Sequence, residues 1–205
     1  MSRSLELSFA LLMCLVSVPF QLIVALIIYL QLGSPIIFRQ RRAGLNGREI
    51  LIGKFRTMTD QRDSQGELLA DELRQTRLTK LIRALRLDEL PQLFFVLLGQ
   101  MALVGPRPLL PQTLAEFGAL GVQRNSVRPG LTGWSQVNGN TRLSNTEKLA
   151  MDLWYVAHRS FLLDMRVLAE TLLVPLRGEI RDDSRLRQAT EWASRNYGAS
   201  LEVNQ

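Results

Sequence analysis

The first thirty residues carry a segment that water alone does not accommodate. From Leu7 to Leu32 nearly every residue is apolar, a run long enough to cross a bilayer as one helix. A cleaved signal peptide fits it poorly, because the run is too long for an apolar signal core and no small-residue cleavage site ends it. Ser17-Val18-Pro19 and Gln21 interrupt the run, and a proline inside a helix removes a hydrogen bond and bends the chain. Arg39, Arg41, Arg42 and Arg48 follow it, whereas only Arg3, offset by Glu6, precedes it. That asymmetry marks the downstream flank as cytoplasmic. Two topologies stand on this pattern. A straight span puts the N-terminus outside and is favoured by the tolerance of membrane helices for proline. A helix broken at Pro19 dips in and returns, leaving both ends inside.

The chain of 205 residues leaves room for one domain beside this anchor. Its net charge of +6 and pI of about 10.2 point to an anionic partner: a phospholipid surface, a nucleotide or a nucleic acid. The single cysteine, Cys14, lies inside the apolar run, which excludes a disulfide framework and a cysteine-rich metal site. One histidine, His158, argues against a multi-histidine metal centre. A Mg²⁺ ion held by carboxylate and phosphate oxygens remains open.

The chemistry concentrates in Arg83-Ala84-Leu85-Arg86-Leu87-Asp88-Glu89-Leu90-Pro91-Gln92-Leu93. Upstream, Leu78, Leu81, Ile82 and Leu85 recur at helical spacing among Arg77, Lys80, Arg83 and Arg86. Downstream, Leu93, Phe94, Val96 and Leu97 continue an apolar helix towards Gly99. Pro91 is tolerated only in a first turn, so this second helix is predicted to begin near Asp88. Asp88 then caps free N–H groups and is favoured in its ionised form by the helix dipole. Beside several arginines it has the setting of a nucleophile towards phosphate. The plainer reading, an N-cap followed by a first-turn glutamate, accounts for the same spacing.

Other stretches supply cations on turns. Ile36 to Met58 reads as short strands around the tight turn Ala43-Gly44-Leu45-Asn46-Gly47-Arg48, with Lys54 and Arg56 near the end of a strand. Asp60 to Asp71 is a polar surface loop. Gly105-Pro106-Arg107-Pro108 holds an arginine on a stiff loop suited to bidentate phosphate binding. Arg128-Pro129-Gly130-Leu131-Thr132-Gly133-Trp134 repeats the device, with Gln136 and Asn138 following. Neither loop has a Walker A or dinucleotide-binding glycine pattern. Ser144-Asn145-Thr146-Glu147 has capping-box spacing and opens a helix bearing Asp152 and Tyr155, for which core-facing roles are equally open. The apolar segment Phe161 to Val174 carries Asp164, Arg166 and Glu170, which favours a helix on the core or at a bilayer surface over another span. Beyond Gly178 the chain is highly charged, with one amphipathic piece around Leu186, Ala189 and Trp192.

Taken together, "PIIFRQRRAG", "GKFRTM", "RALRLDELPQLFFVLLGQMALVGPRP", "VRPGLTGWSQVNG" and "DLWYVAHRSFLLD", in that order, closely resemble the small monotopic phosphoglycosyl transferases of bacteria, the bacterial sugar-transferase family of the PglC type. The resemblance runs to about Arg177. It implies a mostly helical α/β fold: a re-entrant membrane helix at 1–32, a compact cytoplasmic catalytic domain at 33–177 with amphipathic helices at the interface, and a charged tail at 178–205. It also implies transfer of a sugar 1-phosphate from a UDP-sugar to undecaprenyl phosphate at the bacterial inner membrane, with release of UMP. The donor expected first is an N-acetylated amino sugar such as UDP-N,N′-diacetylbacillosamine; a plain UDP-hexose, UDP-galactose or UDP-glucose, is the alternative. Asp88 matches the nucleophile that forms a phosphosugar–enzyme intermediate, and Glu89 the second carboxylate, the two working with Mg²⁺. Lys54, Arg83, Arg107 and Arg128 match positions that bind substrate phosphates. Trp134, Gln136, Asn138, Asp152 and Tyr155 are the candidate nucleotide or sugar contacts. The family's helix is broken at a Ser-Pro pair, here Val18-Pro19 with Ser17 one residue earlier, so the resemblance favours the re-entrant topology.

A membrane-tethered nucleic-acid-binding module would place its cations in a stripe with aromatics, but here they are tied to Pro/Gly loops among 19 acidic residues. A non-catalytic membrane scaffold has no use for Asp88-Glu89 beside fixed arginines. The topology is tested by a cysteine at Ser2 in a Cys14→Ser background. A re-entrant helix leaves that thiol unlabelled by an impermeant reagent until the inner membrane is opened, whereas labelling from outside intact cells means a span.

Overall fold

A computed structural model describes residues 2–198, and it is mostly helical. The long apolar run forms one helix, α1, Arg3–Leu32, and the break expected at Pro19 does not interrupt it. An antiparallel hairpin follows, β1 Ile37–Ala43 and β2 Glu49–Phe55, in a register that pairs Phe38 with Lys54 and Arg42 with Ile50. Next come α2 Arg77–Ala84, a 3₁₀ segment Leu87–Gln92 and α3 Leu93–Leu97. A two-stranded parallel sheet joins β3 Ala102–Val104 to β4 Gly130–Thr132 across α4 Pro111–Glu116 and α5 Gly118–Arg124. The chain closes with α6 Trp134–Val137, α7 Asn145–His158, α8 Phe161–Arg177 and α9 Asp183–Tyr197.

One stripe of α1 is buried: Glu6, Ala10, Cys14, Ser17, Val24 and Ile28, close to the spacing of a single helix face. Its N-terminal half joins the main core with Leu93, Val96 and Leu103, and its C-terminal half packs with Phe55 and Ile82. The remaining faces are exposed and apolar, Leu12, Leu15, Phe20, Leu22, Leu26 and Leu30 among them. A soluble helix turns charge outward on such faces. Polar groups tie both ends of α1 to the same domain. Arg3 donates to Val96 O (2.7 Å), Glu6 accepts from Leu103 N–H (2.7 Å), and Arg56 donates to Leu32 O and Gly33 O. Near Pro19, Ser17 Oγ donates to Cys14 O and accepts from Gln21, so the isolated serine is engaged within the helix.

Several local expectations hold. Ser144 and Glu147 form the capping box that starts α7. The strands around 43–48 are the β1–β2 hairpin, and residues 60–71 form a mostly exposed loop. Others are corrected. The helix expected to start at Asp88 is a 3₁₀ turn whose N-cap is Arg86, and Asp88 makes no capping hydrogen bond there. Of the α2 stripe only Ile82 is buried; Leu78, Leu81 and Leu85 stand exposed beside Phe20 and Ile23 of α1. The stretch beyond Gly178 contains α9, packed on α7 with Leu186 and Ala189 in the main core. Residues 199–205 of that stretch lie outside the described residues.

The two Pro-Gly loops meet backbone to backbone. Gly105 N–H donates to Thr132 O and Gly130 N–H to Pro106 O, both at 2.9 Å. A Cβ on Gly130 would lie 2.1 Å from Gly105 N, so no other residue fits there. Glu6 offers a direct test of the helix–domain tie. Glu6→Ala leaves Leu103 N–H buried without a partner and is expected to cost about 1–3 kcal/mol, read as a lower melting temperature in detergent.

Candidate active site

Two neighbouring carboxylates define the site. Asp88 and Glu89 sit in the first turn of the 3₁₀ segment, where α2 has just ended and Arg86 reverses the chain at φ 56°, ψ 22°. A non-glycine residue in this left-handed region carries a cost of about 1 kcal/mol or more. Its side chain offsets that cost: Arg86 Nη2 lies 3.1 Å from Glu179 Oε1, and Nη1 lies 3.7 Å from Glu89 Oε2. On its other side Glu89 accepts from Arg107 Nη2 at 2.8 Å.

The two carboxyls are held differently. Burial opposes ionisation of Glu89, but Arg107 and Arg86 outweigh it and hold the group below the ordinary carboxylate range. Burial first, and the neighbouring Glu89 charge second, push Asp88 up to about 6, against the pull of Lys54 and Arg83. Among the described residues no other side chain donates a hydrogen bond to Asp88, which is buried and is engaged by its own backbone N–H. Burial beside a like charge thus works against the ionised form expected from the helix dipole at Asp88. Such a group calls for a cation. No cluster of three or more potential metal ligands occurs among the described residues, so a metal cage made by protein alone is not formed. Mg²⁺ bound through one or two carboxylates and completed by substrate phosphates fits the pair, with Asp88 the open ligand.

Lys54 from β2, Arg83 from the last turn of α2 and Arg107 from the loop after β3 all act on these carboxylates. Arg128 does not join them. It is exposed and donates from Nε to Gly99 O. Behind Arg107 lies a buried ion pair: Arg124 binds Asp152 Oδ2 through Nε and Nη2 and also donates to Arg107 O at 2.7 Å. Asp152 thus supports the Arg107 loop, and with Gln136 it lines a cleft that Arg107 shares, whose walls mix charged and amide side chains with Leu109, Phe117 and Leu149. Trp134, Asn138 and Tyr155 lie in the interior. Trp134 stacks on Trp154 and has the Arg166 and Arg185 guanidinium groups over its ring, Asn138 donates to Trp134 O, and Tyr155 donates to Asp164.

A third feature is a groove of ≈ 1000 Å³ with mostly apolar walls from Phe9 and Met13 of α1 and Leu168, Leu172 and Pro175 of α8, and Arg86 and Glu89 also line it. Arg86, Arg42 and Glu179 are the residues that sequence reading left unassigned. The left-handed turn at Arg86 has no sequence signature. Arg42 was legible in part: strand alternation places Phe38, Gln40 and Arg42 on one face.

Against known proteins, the model of the bacterial sugar transferase family matches residues 1–178. The "Uncharacterized sugar transferase EpsL" of Bacillus subtilis is 47% identical over 161 residues, covering 78% of this chain and 79% of that protein. The "Undecaprenyl-phosphate glucose phosphotransferase" of Komagataeibacter xylinus is 39% identical, over 83% of this chain and 35% of its own length. The "UDP-N-acetylgalactosamine-undecaprenyl-phosphate N-acetylgalactosaminephosphotransferase" of Aeromonas hydrophila is 36% identical, over 78% and 40%. The chain thus spans little more than a third of these last two relatives.

The Arg124–Asp152 pair gives the test of this geometry. Asp152→Ala strands a buried guanidinium and is expected to destabilise the fold by about 3–5 kcal/mol, seen as a large drop in melting temperature.

Proposed function

The chain belongs to the bacterial sugar transferase family, and on that premise we propose that it transfers a sugar 1-phosphate from a UDP-hexose to undecaprenyl phosphate, releasing UMP. One observation carries the reading: Glu89, next to Asp88, lines an apolar groove walled by α1 and α8, and it holds Arg107, which lines two clefts on the other side. An isoprenoid phosphate needs the first, and a nucleotide sugar needs the second.

In this reading Asp88 attacks the β-phosphate and forms an acyl-phosphate link to the sugar phosphate, and the acceptor's phosphate oxygen then displaces Asp88. Lys54, Arg83 and Arg107 bind phosphate oxygens and take up charge as it develops. Glu89, fixed between Arg107 and Arg86, keeps the Arg107 fork aimed. Mg²⁺, held through Asp88 and Glu89 with the diphosphate, would neutralise phosphate charge. A plain hexose is preferred to a diacetylated amino sugar because glucose stands in the name of a relative matched over most of this chain. The N-acetylgalactosamine relative makes that sugar the second to try.

Placement at a membrane follows from α1. Its exposed apolar faces suit lipid, while Arg3 and Arg56 bind its two ends to one domain. Both ends tied to one domain favour a monotopic enzyme, and the arginine-rich flank after α1 favours the cytoplasmic face.

Enzyme and UDP-glucose without lipid acceptor are expected to release about one UMP per enzyme and to leave labelled phosphosugar on the protein. Asp88→Asn is expected to do neither. Full turnover by Asp88→Asn would refute the covalent route, and no UMP release from any UDP-sugar, with acceptor present, would refute the reading as a whole.

A further inference from the structure

A narrow cleft lies between the β1–β2 hairpin, Gln92 and the Arg107-Pro108 loop. Arg42, Lys54 and Arg107 line it, yet only Arg107 has a carboxylate at contact distance, Glu89. Arg42 donates to Gln40 Oε1 (2.5 Å) and to Pro108 O (3.3 Å), both uncharged, and its Nε is buried without a partner. Lys54 donates no hydrogen bond and enters no contact ion pair among the described residues. Burial, and then repulsion from Arg107, loosen the proton on Arg42. Burial likewise leads the lowering at Lys54, against the pull of Asp88 and Glu89, with Arg83 and Arg107 adding to it. Three cations line this half-buried cleft with one carboxylate at contact distance, and Asp88 and Glu89 act on Lys54 only from farther off, so the cleft itself is short of an anion.

We propose that this cleft seats the phosphate that stays on the departing nucleotide, with Arg42 as a phosphate-binding residue beside Lys54 and Arg107. The inference rests on the donor being a UDP-sugar. When an Asp88 oxygen bonds to the β-phosphorus, the bond from that phosphorus to the bridging oxygen breaks. The electron pair leaves on the bridging oxygen, which becomes a terminal oxygen of UMP. Charge therefore grows on the α-phosphate, and cations fixed there stabilise the transition state more than the bound donor.

The acceptor's phosphate shares the same chemistry, but the walls separate the two. Leu131 alone lines both this cleft and the apolar groove. The groove has its own cation, Arg86, and two helices of apolar side chains for an isoprenoid tail. The hairpin cleft offers little beyond Phe38, Ile52 and Leu131 as apolar wall.

The test is inhibition by UMP, with uridine as the probe lacking phosphate. Loss of one charge-assisted contact predicts that Arg42→Gln weakens UMP inhibition by about ten-fold or more, with a similar rise in the KM for UDP-sugar. Inhibition by uridine and the KM for undecaprenyl phosphate are expected to stay within about two-fold of wild type, since neither ligand places a phosphate in this cleft. Arg42→Lys, which keeps the charge and loses the fork, is expected to recover part of the UMP effect and replaces the glutamine variant if that one fails to fold. UMP inhibition unchanged in both variants overturns the inference. So does a rise in the KM for undecaprenyl phosphate with UMP inhibition intact, which would give the cleft to the acceptor. Wild-type release of UMP from UDP-sugar is measured alongside. If it occurs, either of those outcomes removes only the Arg42 assignment; if it does not, the transferase reading itself falls.

Discussion

Two adjacent carboxylates cannot be buried together unless positive charge stands against them, and the placement of four elements answers to that requirement. The cations come from β2 (Lys54), the end of α2 (Arg83), the left-handed turn (Arg86) and the loop after β3 (Arg107). Glu89 takes the two closest and stays ionised; Asp88 takes none at hydrogen-bond distance and is pushed up to about 6. The inequality divides the labour. One carboxylate is structural glue for an arginine fork, and the other is left with free lone pairs, as a nucleophile or metal ligand requires. Positioning Arg107 in turn requires the glycine-on-glycine contact of Gly105 and Gly130 and the buried Arg124–Asp152 pair behind it.

How much of this was legible in the sequence follows the range of the forces involved. Capping at Ser144-Glu147 is decided within four residues and reads directly. The hairpin reads nearly as well, because its turn residues and alternation are local. The start of the 3₁₀ segment does not. Proline restricts Pro91 to an early turn, but the turn begins at Arg86, whose backbone is held by ion pairs to residues far away in sequence or across the turn. Arg107 and Arg128 look alike as sequence, each an arginine beside a proline on a glycine loop. Only packing turns one towards Glu89 and the other towards Gly99. The amides and aromatics near 134–138 read as ligand contacts because polar loops often are; here Trp134 and Asn138 are committed to the interior.

The apolar helix was legible in a different way. Hydropathy reports that α1 needs a nonpolar environment without reporting which face receives protein. About a fifth of its apolar window is buried, 22%, as a single stripe on two separate core clusters. The helix is a wall of the catalytic domain as well as an apolar surface, since Phe9 and Met13 line the groove that Glu89 also lines. A substitution on the inner stripe therefore acts on the site, and one on the outer faces acts on whatever solvates the helix.

The segment past the family match completes the same network. Glu179 lies one residue beyond the matched stretch 1–178, yet it accepts from Arg86, from Thr141 N–H at 3.1 Å and from the side chains of Asn140 and Thr141. Asn140 and Thr141 line the cleft beside Arg107, while Arg86 lines the apolar groove. A single carboxylate thus fixes one wall of each. Its own charge is secured by those donors, which outweigh burial and hold it below the ordinary range. Arg181, Asp182 and α9 then anchor the strand of chain that presents it, through Glu147, Asn138 and the core. The amphipathic piece around Leu186 and Ala189 packs as α9, and the charged composition around it ties the mouth of a half-buried site to its frame.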